Sequence, residues 1–190
     1  LLDMLSARLK RAGKTPQLAI ALGLAAVLLA FLPVLVWNVR SHPHQIAYYN
    51  PLAGRLGGAQ QRGYPEATDY WGSAYRQGLE WLNEHAAAEE PILAVGVAEW
   101  IVFYTHQIWL DKRITLKPVN ELRPETIRES TRPIYLMYIT RKAWYADIVK
   151  FYQSLPPVYR IEVDRGAILE IKKLTPGAAA EGSGQGAIMP

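Results

Sequence analysis

Twenty consecutive residues, Leu18 to Trp37, carry no charge. In helical form such a run reaches about 30 Å, the thickness of a bilayer hydrocarbon core. Its irregular residues are Gly23 and Pro33, the latter near the far end, where neighbouring groups can take up a freed carbonyl. A buried helix of a water-soluble domain normally shows a polar face, and this run shows none. The first expectation is a transmembrane helix over 18–37. A cleavable signal peptide would have a shorter apolar core closed by a small-x-small site, so a retained anchor is expected instead.

The flanks suggest an orientation. Residues 1–17 hold Arg8, Lys10, Arg11 and Lys14 against Asp3, so three of the four net positive charges precede the apolar run. Only Arg40 follows it closely. The positive-inside bias then predicts a cytoplasmic basic segment at 1–17 and an extracytoplasmic remainder. Trp37, Tyr48 and Tyr49 suit the outer interface. Leu1, Leu5 and Leu9 recur at helical spacing, as in a juxtamembrane amphipathic helix. The chain opens on Leu1 without methionine, and we expect the tail of a longer protein, although a trimmed sequence would look the same. The other residues carry only one further net charge and no concentrated basic run, so nucleic acid is not an expected partner. Without cysteine, disulfides, thiolate metal sites and cysteine nucleophiles are absent.

Beyond the anchor, residues 38–67 read as an interfacial linker and a glycine-rich irregular loop, and 68–174 as one domain. Thr68 or Asp69 is expected to cap a helix running to about Ala87, with Trp71, Ala74, Tyr75, Gly78, Leu79 and Leu82 on its inner face. Ile92–Val97 is a continuous apolar run suited to a strand covered on both sides. Ala98–Trp109 reads as a helix with Trp100, Ile101, Tyr104 and Ile108 turned inward. A strand is expected over 113–119, and a short helix opens at Pro124. Ile134–Thr140 is a second strong strand, and Thr140 is placed as the cap of a helix through Leu155. Val158–Val163 and Ala167–Leu174 form a hairpin around Asp164-Arg165-Gly166. Residues 175–190 are too poor in apolar side chains to order themselves. Together these predict an α/β fold, a mostly parallel sheet with a C-terminal β-hairpin behind one membrane helix.

Candidate chemistry is sparse. His42 and His44 form an H-x-H pair whose side chains would share one side of an extended segment, half of a zinc site that lacks a third ligand in the sequence. The simpler reading is an exit segment stiffened by Pro43, with no metal. His85 and His106 each sit alone in expected helices. Glu99 follows a buried strand, where open α/β sheets place ligands and where a helix dipole favours a carboxylate without any function. Asp69, Tyr70 and Trp71 combine an acid with ring faces, as a sugar contact would; capping and core packing explain the same residues. No spacing suggests a catalytic set.

The run His42-Pro43-His44-Gln45-Ile46-Ala47-Tyr48-Tyr49-Asn50-Pro51-Leu52-Ala53-Gly54, then Asp69-Tyr70-Trp71-Gly72, then Glu80-Trp81-Leu82-Asn83, resembles bacterial membrane glycosyltransferases of the GT-C superfamily, similar to the dolichyl-phosphate-mannose protein mannosyltransferases. The specific residues lie within 42–83, and the arrangement extends over about 18–174. In that family the pattern follows the last membrane helix and opens an extracytoplasmic C-terminal domain. The resemblance implies a parent enzyme of the bacterial inner membrane that transfers a sugar from a polyprenyl-phosphate carrier. The family's catalytic acid lies in the first extracytoplasmic loop, to which no position here corresponds. Gly54-Arg55-Leu56-Gly57-Gly58 also spreads glycines that the family sets closer together.

The reading is therefore the last span and accessory domain of such an enzyme, without its catalytic half. Its partners would be membrane lipid and, through the upstream part, the polyprenyl-phosphate-linked sugar donor. No cofactor is expected in this chain, and a divalent metal in the parent enzyme is left open. Arg40, His42, His44, Tyr48, Tyr49 and Asn50 are the candidate rim for the lipid phosphate or acceptor, being cationic or hydrogen-bonding groups near the interface. The alternative is a complete single-pass anchored α/β protein that binds a partner or assists envelope assembly without catalysis.

Overall fold

The structure, a computed structural model, describes residues 16–175. The expected amphipathic helix at the N-terminus lies outside them, as do the basic segment and the tail apart from Pro16, Gln17 and Thr175. The chain divides into two compact units, one ending at Gln45 and one beginning at Ile46.

The first unit is helix α1, Pro16–Arg40, with Pro33 inside it. Leu24, Leu28, Leu29 and Phe31 are each 60–67% exposed. Among the described residues, its Ile20–Arg40 portion is the one stretch long and apolar enough to cross a membrane. After Arg40 the chain turns back on the helix end. The Ser41 N–H donates to Trp37 O at 2.9 Å, and the Gln45 amide donates to Asn38 O at 3.3 Å.

The second unit is one five-stranded sheet with helices packed on it. The strands are β1 (Ile92–Val95), β2 (Thr115–Lys117), β3 (Ile134–Ile139), β4 (Tyr159–Val163) and β5 (Gly166–Leu174), in spatial order β2-β1-β3-β5-β4. β1 pairs parallel with both β2 and β3, whereas β3–β5 and β5–β4 are antiparallel. The expected parallel arrangement of the first three strands is present, but the sheet as a whole is mixed. The hairpin adds two antiparallel pairings, because β5 rather than β4 lies against β3. Asp164 and Arg165 both have positive φ, 46° and 65°. This is the backbone a two-residue hairpin turn requires to match strand twist.

The helices are α2 (Arg55–Gln61), α3 (Ala74–His85), α4 (Trp100–Trp109), α5 (Pro124–Glu129) and α6 (Asp147–Phe151). Four differ from expectation. The glycine-rich segment is not wholly irregular: α2 forms there, with Leu56, Gly57 and Ala59 buried. The Gly57 N–H donates to Asp164 O at 3.2 Å, and Arg55 pairs with the Asp164 carboxylate at 3.1 Å, so the hairpin turn accepts this helix end. α4 is rotated from its predicted phase. Val102 is its buried residue, whereas Trp100, Tyr104 and Ile108 are exposed. The sequence of α4 is apolar on nearly all sides, so periodicity could not choose the inward face.

The helix expected from Thr140 to Leu155 is broken. A 3-10 turn, Lys142–Trp144, precedes the five-residue α6, and Thr140 does not cap it. The Thr140 hydroxyl donates instead to Ala167 O on β5. α3 also starts later than expected, at Ala74, leaving Trp71 exposed. Its inner face is otherwise as predicted: Ala74, Tyr75, Gly78, Leu79 and Leu82 are buried.

Two glycines allow close approach of these layers. A Cβ at Gly96 would stand 2.1 Å from Val149 Cγ2 of α6, and one at Gly57 would stand 2.8 Å from Asp164 O. Backbone cannot move aside as a side chain can. Gly57→Ala should therefore lower stability by about 1–3 kcal/mol, read as a lower thermal midpoint of the full chain in detergent micelles.

Candidate functional site

Three regions hold the residues that sequence or geometry singles out. The first is the segment after α1. Arg40 ends the helix and is exposed. His42 is exposed, and its Nδ1 accepts from the Gln45 amide at 2.9 Å; His44 is buried. A turn replaces the extended backbone that would have set both rings on one side. Among the described residues no group of three His, Cys, Asp or Glu side chains is placed to hold a metal ion. In the second unit, Tyr48 is exposed and the Tyr49 hydroxyl donates to Glu66 O at 3.0 Å. The Asn50 carboxamide accepts from the Ala53 N–H at 2.8 Å and caps the 3-10 turn Pro51–Ala53.

The second region lies at the carboxyl end of β3. Asp69 is fully buried; its Oδ2 accepts from the Ala74 N–H at 2.6 Å and the Ser73 hydroxyl at 3.1 Å. It thus satisfies the start of α3, the usual work of an acid before a helix. Its Oδ1 has no hydrogen-bond partner among the described residues. Tyr70 and Trp71 are exposed, edge to face at 5.2 Å.

Arg141, which the sequence reading passed over, is the organising group here. Its guanidinium lies 4.1 Å from the Tyr70 ring centre and 4.2 Å from that of Trp144. Its Nε donates to Glu66 at 2.5 Å. Nearby, Glu99 accepts from the Val119 N–H at 2.9 Å on the rim of an open depression of about 490 Å3. Its carboxylate therefore ties the chain after β2 to the start of α4.

The third region is a cleft of about 310 Å3 on the sheet face at β3 and β5. Its floor is Tyr138 and Glu170, which sit opposite each other across the strand pair. Gln60 and Tyr64 bound one side; Lys142, Tyr145 and Gln153, which flank α6, bound the other. The break in the expected long helix thus leaves its flanking residues as the wall of a concavity.

The Tyr138 hydroxyl donates to Glu170 at 2.5 Å, and Arg160 donates to the other Glu170 oxygen at 2.7 Å. Burial pushes the Tyr138 and Tyr145 phenols above their ordinary value, and the Glu170 charge adds to it. Beneath the cleft, buried Lys172 donates to the carbonyls of Tyr152, Gln153 and Leu155 at 3.0, 2.6 and 2.6 Å. Burial pushes its ammonium pKa down, and Glu170 at 3.8 Å partly opposes this.

The other histidines have local roles. His85 stacks on Trp81 at 4.7 Å, and its Nδ1 lies 3.0 Å from Trp81 O. His106 Nδ1 lies 2.7 Å from Phe103 O. Compared with models of protein families, with curated proteins and with solved structures, the chain gives no match.

Two outcomes follow from the buried polar groups. Lys172→Met removes the ammonium donor shared by three carbonyls and should cost about 2–4 kcal/mol of stability, measured by denaturant unfolding. The second concerns alkaline pH. Tyr75, Tyr138 and Tyr145 all have raised pKa values, chiefly from burial. The folded chain keeps these phenols protonated, while the unfolded chain ionises them near about 10. Their contribution to stability is therefore present below that value and is lost as pH rises above it. Tyr138→Phe should make the alkaline decline shallower, with phenolate absorbance reporting the delayed ionisation.

Proposed function

We propose that this chain is the C-terminal transmembrane helix and accessory extracytoplasmic domain of a polyprenyl-phosphate-sugar-dependent glycosyltransferase. The observation that carries the membrane part is the unpaired apolar surface of α1, on which Leu24, Leu28, Leu29 and Phe31 are largely exposed. In water such a helix would be costly; lipid or neighbouring membrane helices are its natural solvent. The basic cluster at 8–14 puts its N-terminal end on the cytoplasmic side of a bacterial inner membrane.

The glycosyltransferase part rests on the resemblance over 42–83, and the physical roles of those residues are consistent with it. Asn50 caps a turn, Asp69 holds the start of α3, and Leu82 enters the core. These are jobs that build the entry to a domain rather than a reaction centre. The domain's part is to stand over a membrane-level active site and to admit acceptor or lipid headgroup. Arg40 and His42, both exposed at or just beyond the end of α1, are then the groups that meet the lipid phosphate.

Protease added from the outer face of intact inner-membrane vesicles should remove the domain and spare residues near Lys14; a protected domain would reverse the orientation. The coding frame upstream of Leu1 should continue into further hydrophobic spans, and a start codon immediately before it would favour the single-pass alternative. In the full-length enzyme, alanine at Arg40 and His42 should weaken donor binding by at least about tenfold, since hydrogen bonds to charged groups are worth roughly 1.5–3 kcal/mol each. Unchanged turnover and donor affinity would remove these residues from the lipid site.

A further inference from the structure

The sheet-face cleft carries more chemistry than the domain's own cohesion uses. Glu170, at its floor, already has the Tyr138 hydroxyl on one oxygen and Arg160 on the other. Four groups along the walls differ: the Tyr64 and Tyr145 hydroxyls, the Gln153 amide and the Lys142 ammonium make no side-chain hydrogen bond or ion pair among the described residues. Three are uncharged donor–acceptor groups, and the fourth is a cation whose charge is not locally matched. The volume, about 310 Å3, lies at the small end of the range for ligand sites, roughly 300–1,000 Å3. That suits one ring-sized molecule rather than a peptide segment or a nucleic-acid strand. Tyr64, Tyr138 and Tyr145 set apolar ring surface beside hydroxyls, a lining for a ligand with both C–H faces and O–H groups.

We propose that this cleft binds a single sugar ring bearing an anionic group, with Tyr64, Tyr145 and Gln153 meeting the sugar hydroxyls and Lys142 meeting the anion. Glu170, held by Tyr138 and Arg160, presents a carboxylate edge to a further sugar hydroxyl. The inference stands on the cleft alone and does not depend on the glycosyltransferase reading. A single-pass anchored binding protein would use the site equally well.

The test is calorimetric titration of the full chain in a detergent without a sugar headgroup. The probes are glucose 1-phosphate, glucuronate, glucose and inorganic phosphate. Saturable binding of either charged sugar should appear at millimolar concentration, at least about tenfold tighter than glucose or phosphate alone, the gain expected of one charge-assisted contact. Preference between the two charged sugars identifies the anion as phosphate or carboxylate, and either supports the site. Lys142→Ala, an exposed position, should reduce the charged sugars to the affinity of glucose and leave glucose unchanged. Gln153→Ala should weaken every sugar probe. Circular dichroism checks that both variants keep the fold. Equal binding of inorganic phosphate and glucose 1-phosphate would mean a bare anion contact and overturn the proposal. So would unchanged affinity in Lys142→Ala, or no saturation by any sugar.

Discussion

β3 is the constraint from which the rest of the domain follows. All six of its residues are buried, and both of its edges are paired, parallel to β1 and antiparallel to β5. A strand with both faces covered has no backbone edge or side chain to give to water, so each neighbour must satisfy it. The parallel neighbour requires a crossover, which brings the connection through α4, β2 and α5. The antiparallel neighbour requires only the tight Asp164-Arg165 turn between β4 and β5. The aromatic cluster around Arg141 and the sheet-face cleft then both flank the carboxyl end of this strand. Tyr138 faces the cleft, and Arg141, just beyond the last strand residue, anchors the aromatic cluster.

Beside exposed ion pairs such as Arg76–Glu80 and Lys150–Asp147, the domain holds two cations, Lys172 and Arg141, by local enclosure. Lys172 is almost fully buried and gives its ammonium to three backbone carbonyls that follow α6. Carbonyls just past a helix end lack intrahelical partners, and here one side chain supplies three of them, although the Tyr152 carbonyl also accepts from the Leu155 N–H at 3.2 Å. Arg141 gains ring faces on two sides and Glu66 at its edge, where planarity and weak hydration favour arginine over lysine. Glu170 on β5 is held by Tyr138 and Arg160 and lies 3.8 Å from Lys172.

The polar residues that sequence spacing brings forward mostly serve the backbone. Asn50 caps a turn, Asp69 begins a helix and Glu99 ties α4 to the segment after β2. Short polar side chains beside glycine and proline are enriched in turns because they satisfy nearby N–H groups. That signal is local and therefore easy to see in a sequence. The groups that line the cleft come instead from α2 and its exit, β3, the segments flanking α6, and β5. No local spacing joins Tyr64, Tyr145 and Glu170. Only strand pairing and the break in the helix expected after Thr140 bring them together.

Period and composition alone determined the apolar span, β1 and β3 as continuous buried runs, the hairpin and the inner face of α3. Each is a local pattern of side-chain polarity imposed by burial, and such patterns survive in one dimension. The order of strands at the hairpin, the helical state of Arg55–Gln61 and the outward face of α4 were decided in three dimensions. β5 rather than β4 docks on β3 because its apolar residues, Leu169 and Ile171 among them, complete the core there. The glycines of α2 fold as helix because the hairpin turn accepts the Gly57 N–H and the Arg55 charge. α4 is apolar on nearly every side, so its orientation depends on which face the neighbouring elements leave room to bury.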